Sequence, residues 1–257
     1  MMAALGSGID VSALSITYTG AHTDYGMVTM SNGARYRLLA FTSSGTLSIE
    51  QPVNCEVCVV GGGANGNAEG GTGGAGGYLK NQAITKYNGG AVVVGAAKAA
   101  SSVSEVSVEA VSGKNGGTGG GGSGNDTPGV GDGISKFPFG DESYSLWTGK
   151  PHCAGGGAVL ESYESSVGGY DWYSGGDGGT NGGNGNDSTY AGTTMGYSGA
   201  PGKGGTYGGG SGGGFVSGGW HGDGGNATYY GSAGGGSKAT QGSGYQGIVY
   251  MRIPVIQ

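Results

Sequence analysis

The sequence predicts a mainly β protein with an ordered glycine-rich middle and essentially no α-helix. Three observations support this fold class. Glycine accounts for 68 of the 257 residues, whereas proline accounts for only 6. Short apolar runs rich in β-branched residues lie near both ends of the chain. No segment shows the periodicity of an amphipathic helix.

Composition excludes several classes of protein. Collagen requires glycine at every third position and abundant proline, and the chain has neither. Disordered chains are rich in charge and poor in aromatic residues, whereas this chain has 11% charged residues and 16 tyrosines. The net charge of −6 and the scattered basic residues argue against a nucleic-acid partner. We expect no membrane insertion, because the apolar runs are shorter than the roughly 20 residues of a spanning helix.

Strand-like runs come first along the chain. In "GMVTMSNGARYRLLAF" at 26–41, Asn32 and Gly33 stand between two apolar arms and predict a hairpin. Alternation in "VSEVSVEAV" at 103–111 is typical of a half-buried strand. The other strand-like runs are "SITYT" at 15–19, "GTLSIE" at 45–50, "NCEVCVVG" at 54–61, "YLKNQAIT" at 78–85 and "AVVVGAA" at 91–97.

Glycine dominates the rest of the chain up to its last strand. A glycine-rich insert occupies 61–77, and the main glycine-rich tract runs from 113 to about 246. "GIVYMRIPVI" at 247–256 is too apolar to lie in water, and it predicts a closing strand that pairs with the N-terminal strands. The glycine-rich middle is therefore held at both ends.

We expect this middle to be a bundle of polyglycine-type helices. A helix of the polyproline-II type has three residues per turn and no internal hydrogen bonds, so its backbone groups must pair with neighbouring helices. Glycine permits the close approach that such pairing needs. The alternative is a flexible region, but the tyrosine-rich stretches beside "SGGDGGTNGGNGND" at 174–187 and the apolar closing strand do not suit a linker.

Several of these stretches resemble the glycine-rich domain of tail proteins from tailed phages. They are "FTSSGTLSI" at 41–49, "CEVCVVGGG" at 55–63, "GGAGGY" at 73–78, "GGAVVVGAA" at 89–97 and "GSGYQGIVYMRIPV" at 242–255. The resemblance implies a β-sandwich base of the jelly-roll kind, with polyglycine-type helices projecting from it, in a virion tail or fibre. Tail-fibre-tip adhesins have a similar stack, whose loops contact the host receptor.

The resemblance divides the chain into four parts. Residues 1–40 hold the first strands and would attach the domain to other tail proteins. Residues 41–112 form the sandwich with the insert at 61–77, residues 113–246 form the polyglycine bundle with aromatic loops, and residues 247–257 hold the closing strand. Residues 98–111 lack the glycines of the family pattern, so they are either an extra strand or a loop.

No motif in the chain predicts an enzyme, a cofactor or a metal site. "GGSGND" at 121–126 and "GGNGND" at 182–187 partly fit a calcium-binding repeat, but they lack its large apolar residue and are not in tandem. Cys55 and Cys58 form a C-x-x-C pair, which in a strand faces opposite sides. We expect buried thiols there, and an odd count of three cysteines does not predict a disulfide framework.

Aromatic residues are the candidate binding residues. They interrupt the glycine tract in groups, and tyrosine and tryptophan among small polar residues make rigid contact surfaces. Equally, they could cap the ends of the glycine bundle. The candidates are Tyr163, Tyr170, Asp171, Trp172, Tyr173, Tyr190, Tyr197, Trp220, His221, Tyr229 and Tyr230.

The sequence as a whole predicts a virion tail component, with a tail-tip or fibre adhesin as the leading hypothesis. Its partners would be other tail proteins, a host surface glycan or outer protein, and further copies of the chain, as in a trimer. The N-terminus has no secretory signal pattern, so we expect synthesis in the host cytoplasm. The alternatives are a purely structural tail, baseplate or decoration protein and, ranked lower, an ice-binding protein.

Overall fold

The structure is a computed structural model that describes most of both ends of the chain and parts of the glycine-rich middle. It describes residues 9–30, 32–66, 77, 79–104, 106–108, 138–140, 152–153, 156, 162–167, 170–174, 188–189, 198–199, 215–216, 220–221, 223–236 and 240–255. The protein is mainly β, as predicted. The one helical element among these residues is a 3-10 turn at Pro138–Gly140.

Eight strands form one antiparallel sheet. The strands are β1 (Ile16–Tyr18), β2 (His22–Thr29), β3 (Arg35–Phe41), β4 (Gly45–Val60), β5 (Leu79–Val93), β6 (Ser101–Val103), β7 (Val106–Val108) and, near the end of the chain, β14 (Ile248–Pro254). Their order in the sheet is β2-β3-β14-β4-β5-β6-β7, and β1 pairs with the first part of β4.

The glycine-rich middle contributes two smaller sheets. Four strands, β8 (Ser162–Val167), β9 (Tyr170–Ser174), β12 (Phe215–Val216) and β13 (Trp220–His221), form a sheet in the order β13-β12-β9-β8. The short strands β10 (Ser188–Thr189) and β11 (Ser198–Gly199) pair with each other.

The predicted hairpin and the predicted closing strand are both confirmed. Strands β2 and β3 pair antiparallel, and Gly33 in their turn has a φ of +83°, which favours glycine. Strand β14 lies between β3 and β4, with Met251 opposite both Leu39 and Val57. The last strand of the chain is therefore a central strand of the sheet.

The structure joins two pairs of predicted runs into single long strands. β4 has 16 residues and β5 has 15, and their pairing shifts register between Ser48 and Val53 and again between Val53 and Cys55. Such irregularities bend a strand without ending it. The glycine-poor residues 98–111, left open by the sequence, include two short paired strands, β6 and β7.

The middle of the sheet is buried on both faces. Side chains alternate across a strand, so Cys55 belongs to one hydrophobic cluster and Cys58 to the other, as predicted. The first core consists of Val11, Leu14, Leu39, Phe41, Leu47, Ile49, Val53, Cys55, Val57, Val59, Ile84, Tyr87, Val92, Val103, Val249, Met251 and Ile253. The second core consists of Met30, Leu38, Ala40, Cys58, Val60, Cys153, Ile248 and Tyr250.

The sheet curls around the first core. Leu47 and Val59 lie near opposite ends of β4, yet both belong to this core. β6 also contacts β14, although β4 and β5 separate the two strands in the sheet order. A second sheet facing the first is not established, so the β-sandwich stays a prediction.

Glycine segments beside the sheet are ordered through backbone hydrogen bonds that recur every three residues. The N–H groups of Gly63 and Gly66 donate to the carbonyls of Tyr245 and Gly242 at 2.9 Å each. Likewise, the N–H groups of Gly224 and Ala227 donate to Thr240 and Ser243, and those of Gly242 and Tyr245 donate to Gly235 and Ser232. This spacing equals the repeat of a polyproline-II-type helix. The assignment of polyglycine helices stays a prediction.

These segments leave no room for side chains at several glycines. A Cβ atom added at Gly63, Gly66 or Gly242 would overlap the carbonyl oxygen of Ser232, Gly235 or Gly225, respectively. Because the backbones touch directly, the glycines here are a packing requirement. In the described part of the chain no helix is long and apolar enough to cross a bilayer.

Candidate binding site

The structure places the candidate aromatic residues in a small sheet and in a turn. Tyr190 and Tyr197 lie outside the described residues, as do the calcium-like motifs at 121–126 and 182–187. Of the other candidates, seven lie on strands of the small sheet: Tyr163 on β8, Tyr170, Asp171, Trp172 and Tyr173 on β9, and Trp220 and His221 on β13. Tyr229 and Tyr230 lie in a turn just before Gly231.

The four-stranded sheet, which we call the aromatic sheet, aligns residues from distant parts of the chain. Tyr173 on β9 is opposite Tyr163 on β8 and Phe215 on β12. Phe215 is in turn opposite His221 on β13. One row across the sheet therefore contains two tyrosines, a phenylalanine and a histidine.

The neighbouring row contains both candidate tryptophans. Trp172 on β9 is opposite Val216 on β12, and Val216 is opposite Trp220 on β13. On the other side Trp172 is opposite Ser165, and the register between β8 and β9 shifts just before this pair. Neighbouring strands of a sheet lie about 4.8 Å apart. The two rows thus gather aromatic residues that the sequence separates by long glycine tracts.

Tyr229 and Tyr230 occupy a tight turn. The N–H of Ser232 donates to the carbonyl of Tyr229 at 3.0 Å, and Gly231 supplies a φ of +70° at the third position. The two tyrosine rings lie 5.3 Å apart between centroids, and both side chains are partly exposed. The turn therefore presents one face of the pair to solvent.

The inner face of this pair packs on a buried histidine. His152 is fully buried, and its Nε2 lies 2.9 Å from the hydroxyl of Tyr250. Its ring lies 5.0 Å from the Tyr229 ring, 6.1 Å from the Tyr230 ring in a stacked arrangement, and 5.5 Å from the Tyr250 ring. Burial lowers the pKa of His152 to about 3, so the imidazole is neutral at pH 7. Its Nδ1 has no hydrogen-bond partner in the described structure.

Two exposed tyrosines extend the pair. Tyr245 is 37% exposed, and its ring lies edge-on to the Tyr230 ring at 5.6 Å. Tyr25 on β2 is 40% exposed, and its phenol is close enough to raise the pKa values of Tyr229 and Tyr230. Burial is the main cause of both shifts and takes the pKa of Tyr229 to about 12. We call Tyr25, Tyr229, Tyr230 and Tyr245 the tyrosine cluster.

Sequence reasoning missed His152, Tyr25 and Tyr245. His152 reads as an isolated histidine in the sequence, and its contact with Tyr250 spans 98 residues. Tyr25 lies just before the predicted run at 26–41, and Tyr245 lies just before the predicted closing strand at 247–256. No local signal marks these residues, because long-range pairing brings their segments together.

Two features of the described residues bear on whether they form a metal site or hold a reactive thiol. No cluster of three or more His, Cys, Asp or Glu side chains occurs among them with the arrangement needed for a metal ion. Cys55, Cys58 and Cys153 are buried thiols. Burial raises the pKa of the Cys58 thiol well above its usual value, which disfavours the reactive thiolate.

No protein-family model, curated protein or solved structure matches the chain. The resemblance to phage tail proteins therefore depends only on the sequence motifs at 41–49, 55–63, 73–78, 89–97 and 242–255, and it stays a prediction. The aromatic sheet and the tyrosine cluster are the two arrangements from which a function can be argued.

Proposed function

We propose that the chain is a tail component of a tailed phage and acts as a tail-tip or fibre adhesin that binds a receptor on the host surface. The observation that carries the proposal is the alignment of aromatic residues in the aromatic sheet. Trp172 and Trp220 lie in one row, and Tyr163, Tyr173 and His221 lie in the next.

Binding in this proposal is non-covalent. Tyrosine and tryptophan offer large flat surfaces and hydrogen-bonding groups at low cost in side-chain entropy. Such residues stack on sugar rings and anchor protein interfaces, so the receptor is a surface glycan or an outer protein. Binding that changes no covalent bond requires neither a cofactor nor a catalytic group.

Ordered glycine segments are a second observation in favour of the proposal. The glycine segments at 61–66, 223–228, 231–236 and 240–247 are bonded to one another through their backbones. A surface that is ordered before it binds loses less conformational entropy on binding. Several copies on one particle, as in a trimer, would add avidity without any new contact. Residues 1–40 would attach the domain to the rest of the tail.

A double substitution of the two tryptophans tests the adhesin role. Trp172→Ala with Trp220→Ala, introduced into a phage that carries this chain, should slow adsorption to host cells at least tenfold. The variant Trp172→Val with Trp220→Val should have a similar effect. Valine keeps a high strand propensity, so it removes the aromatic rings while favouring the sheet.

The matched control replaces small polar residues of the same sheet. Ser166→Ala with Ser174→Ala changes positions on β8 and β9 without removing an aromatic ring, and it should leave adsorption unchanged. Electron microscopy of the particles checks that tails assemble in every case. Normal adsorption by a fully assembled double-tryptophan variant would exclude the adhesin role of these residues.

A purely structural tail, baseplate or decoration protein is the second candidate. It is favoured by the packing of Tyr229 and Tyr230 on the buried His152, since rings that shield a core need bind nothing. Imaging of the particle distinguishes the two functions. A chain located at the distal tip supports the adhesin, whereas a chain enclosed within the tail supports the structural role.

A further inference from the structure

We propose that the tyrosine cluster is a second binding site and that its ligand is a neutral saccharide. Tyr25, Tyr229, Tyr230 and Tyr245 come from three separate parts of the chain and are all at least partly exposed. The site consists of residues other than those of the aromatic sheet, so it does not depend on the adhesin role of that sheet.

A β-bulge positions Tyr25. The register between β2 and β3 shifts between Asp24 and Met27, and Gly26 has a φ of +66°. The Asp24 carboxylate accepts the N–H of Gly26 at 2.8 Å and the Nη2 of Arg37 at 2.7 Å. A bulge next to a site commonly redirects one side chain. Here the bulge lies at Tyr25 itself, which is exposed and whose phenol raises the pKa values of Tyr229 and Tyr230.

Backbone hydrogen bonds to the glycine segments fix the other three tyrosines. The N–H of Tyr245 donates to Ser232 at 2.8 Å, and its carbonyl accepts the N–H of Gly63 at 2.9 Å. In the turn, the carbonyl of Tyr230 accepts the N–H of Cys153 at 3.2 Å. All four side chains thus stand on backbone that is already ordered, which lowers the entropy cost of binding a ligand.

The floor of the site is buried and rigid. The His152 ring lies under Tyr229 and Tyr230, and it is itself held by the hydroxyl of Tyr250 on the central strand β14. Tyr250 is only 4% exposed. The exposed rings are therefore supported from below by buried side chains.

The chemistry of the cluster favours an uncharged ligand. Among the described residues, the ionisable groups that shift the pKa values of Tyr229, Tyr230 and Tyr250 are other phenols and the Cys58 thiol. All of these groups are neutral at pH 7, because phenols and a buried thiol ionise at much higher pH. The nearby Asp24 carboxylate is paired with Arg37. Among the described residues, no group that shifts these pKa values carries a charge at pH 7, which favours an uncharged ligand over a phosphate or a charged peptide.

A neutral saccharide matches both parts of this surface. Its apolar C–H faces stack on aromatic rings, and its hydroxyl groups hydrogen-bond with phenols, which both donate and accept. Tyr25 and Tyr245, as the most exposed rings, would contact the ligand first. Tyr229 and Tyr230 would form the bottom of the site, where their hydroxyl groups are already partly desolvated.

The purified full chain can be tested on an array of neutral and acidic oligosaccharides, followed by calorimetry with the best binder. We expect retention of at least one neutral oligosaccharide. Tyr25→Ala and Tyr245→Ala should each weaken its affinity at least tenfold, whereas Tyr25→Phe and Tyr245→Phe, which keep the rings, should weaken it only a few-fold. Both residues are well exposed, so the variants should keep the melting temperature of the parent protein.

Val93→Ala is the control, since Val93 is an exposed apolar residue (42%) on β5 outside the cluster. It should leave binding unchanged. Retention of acidic oligosaccharides alone, no retention at all, or neutral binding that survives both alanine substitutions would each overturn the proposal. None of these results bears on the adsorption test of Trp172 and Trp220, because that test uses the assembled particle.

Discussion

At the scale of single residues, the buried His152 makes the stability of the fold depend on pH. It is completely buried, and its described neighbours are the phenols of Tyr229, Tyr230 and Tyr250 and the thiol of Cys153, the next residue along the chain. None of these groups offers a negative charge that would stabilise an imidazolium at neutral pH. The folded protein therefore keeps His152 neutral, with a pKa of about 3 against an ordinary value of 6.5.

Acid should destabilise the fold through this residue. Below pH 6.5 the unfolded chain binds a proton at His152 that the folded chain does not, so the free energy of unfolding falls as the pH drops from 6.5 towards 3. The slope from this residue alone approaches about 1.4 kcal/mol per pH unit. Urea denaturation at several pH values should show this slope in the parent protein and a shallower one in His152→Gln.

His22→Gln is the matched control, because His22 lies on the exposed part of β2. It should keep the parent slope. Equal slopes in the parent and His152→Gln would mean that the buried imidazole does not control the response to acid.

Residue-scale predictions from the sequence succeeded where strand alternation alone decides the outcome. Cys55 and Cys58 lie in different cores because positions three apart in a strand face opposite sides. His152 was not predicted, because its burial arises from contact with β14 near the other end of the chain. Of the tyrosine cluster, the sequence analysis names Tyr229 and Tyr230 as binding candidates but not the exposed Tyr25 and Tyr245, and the binding role of all four stays a prediction.

At the scale of elements, turn chemistry located one hairpin, whereas hydrophobic runs located strands without giving their full length. Asn32 and Gly33 correctly indicated the β2–β3 hairpin. The runs at 45–50 and 54–61 are predicted as two separate strands, because Pro52 and polar residues lie between them, whereas the structure has the single strand β4. In the structure the ladder to β5 is irregular from Ser48 to Val53, so a proline without an N–H fits there.

The glycine segments should tolerate side chains very unevenly. Gly242→Ala places a Cβ against the carbonyl of Gly225, and the backbones on both sides are bonded to neighbours, so they cannot easily separate. We expect a loss of about 3 kcal/mol in the free energy of unfolding, typical of severe overpacking. Chemical denaturation measures the difference between variant and parent.

Gly33→Ala separates this packing effect from ordinary backbone strain. Gly33 has a φ of +83°, but the space around it is open, so alanine should cost only about 1–2 kcal/mol. If Gly242→Ala proves no more damaging than Gly33→Ala, the close backbone packing at 240–247 does not contribute to stability as the structure indicates.

At the scale of the whole molecule, the two ends of the chain complete one sheet. β3 and β4 come from the first quarter of the sequence, and β14, near its end, lies between them. The sequence predicted this pairing because an apolar closing strand needs a partner. It could not predict that the strand would be central or that the sheet would curl, since these depend on register across the full chain.

Removal of the closing strand should therefore prevent folding. A chain ending at residue 247 lacks Val249, Met251 and Ile253 of the first core as well as Ile248 and Tyr250 of the second. It also leaves the facing edges of β3 and β4 unpaired, and His152 loses the hydroxyl that holds it. We expect the truncated chain to show no cooperative thermal transition, to bind a hydrophobic dye strongly and to aggregate.

A chain ending at Val255 is the control, because it keeps all of β14 and should melt like the parent. Cooperative melting of the shorter chain would show that the rest of the chain folds without the central strand β14, and that the large sheet is not the unit on which folding depends.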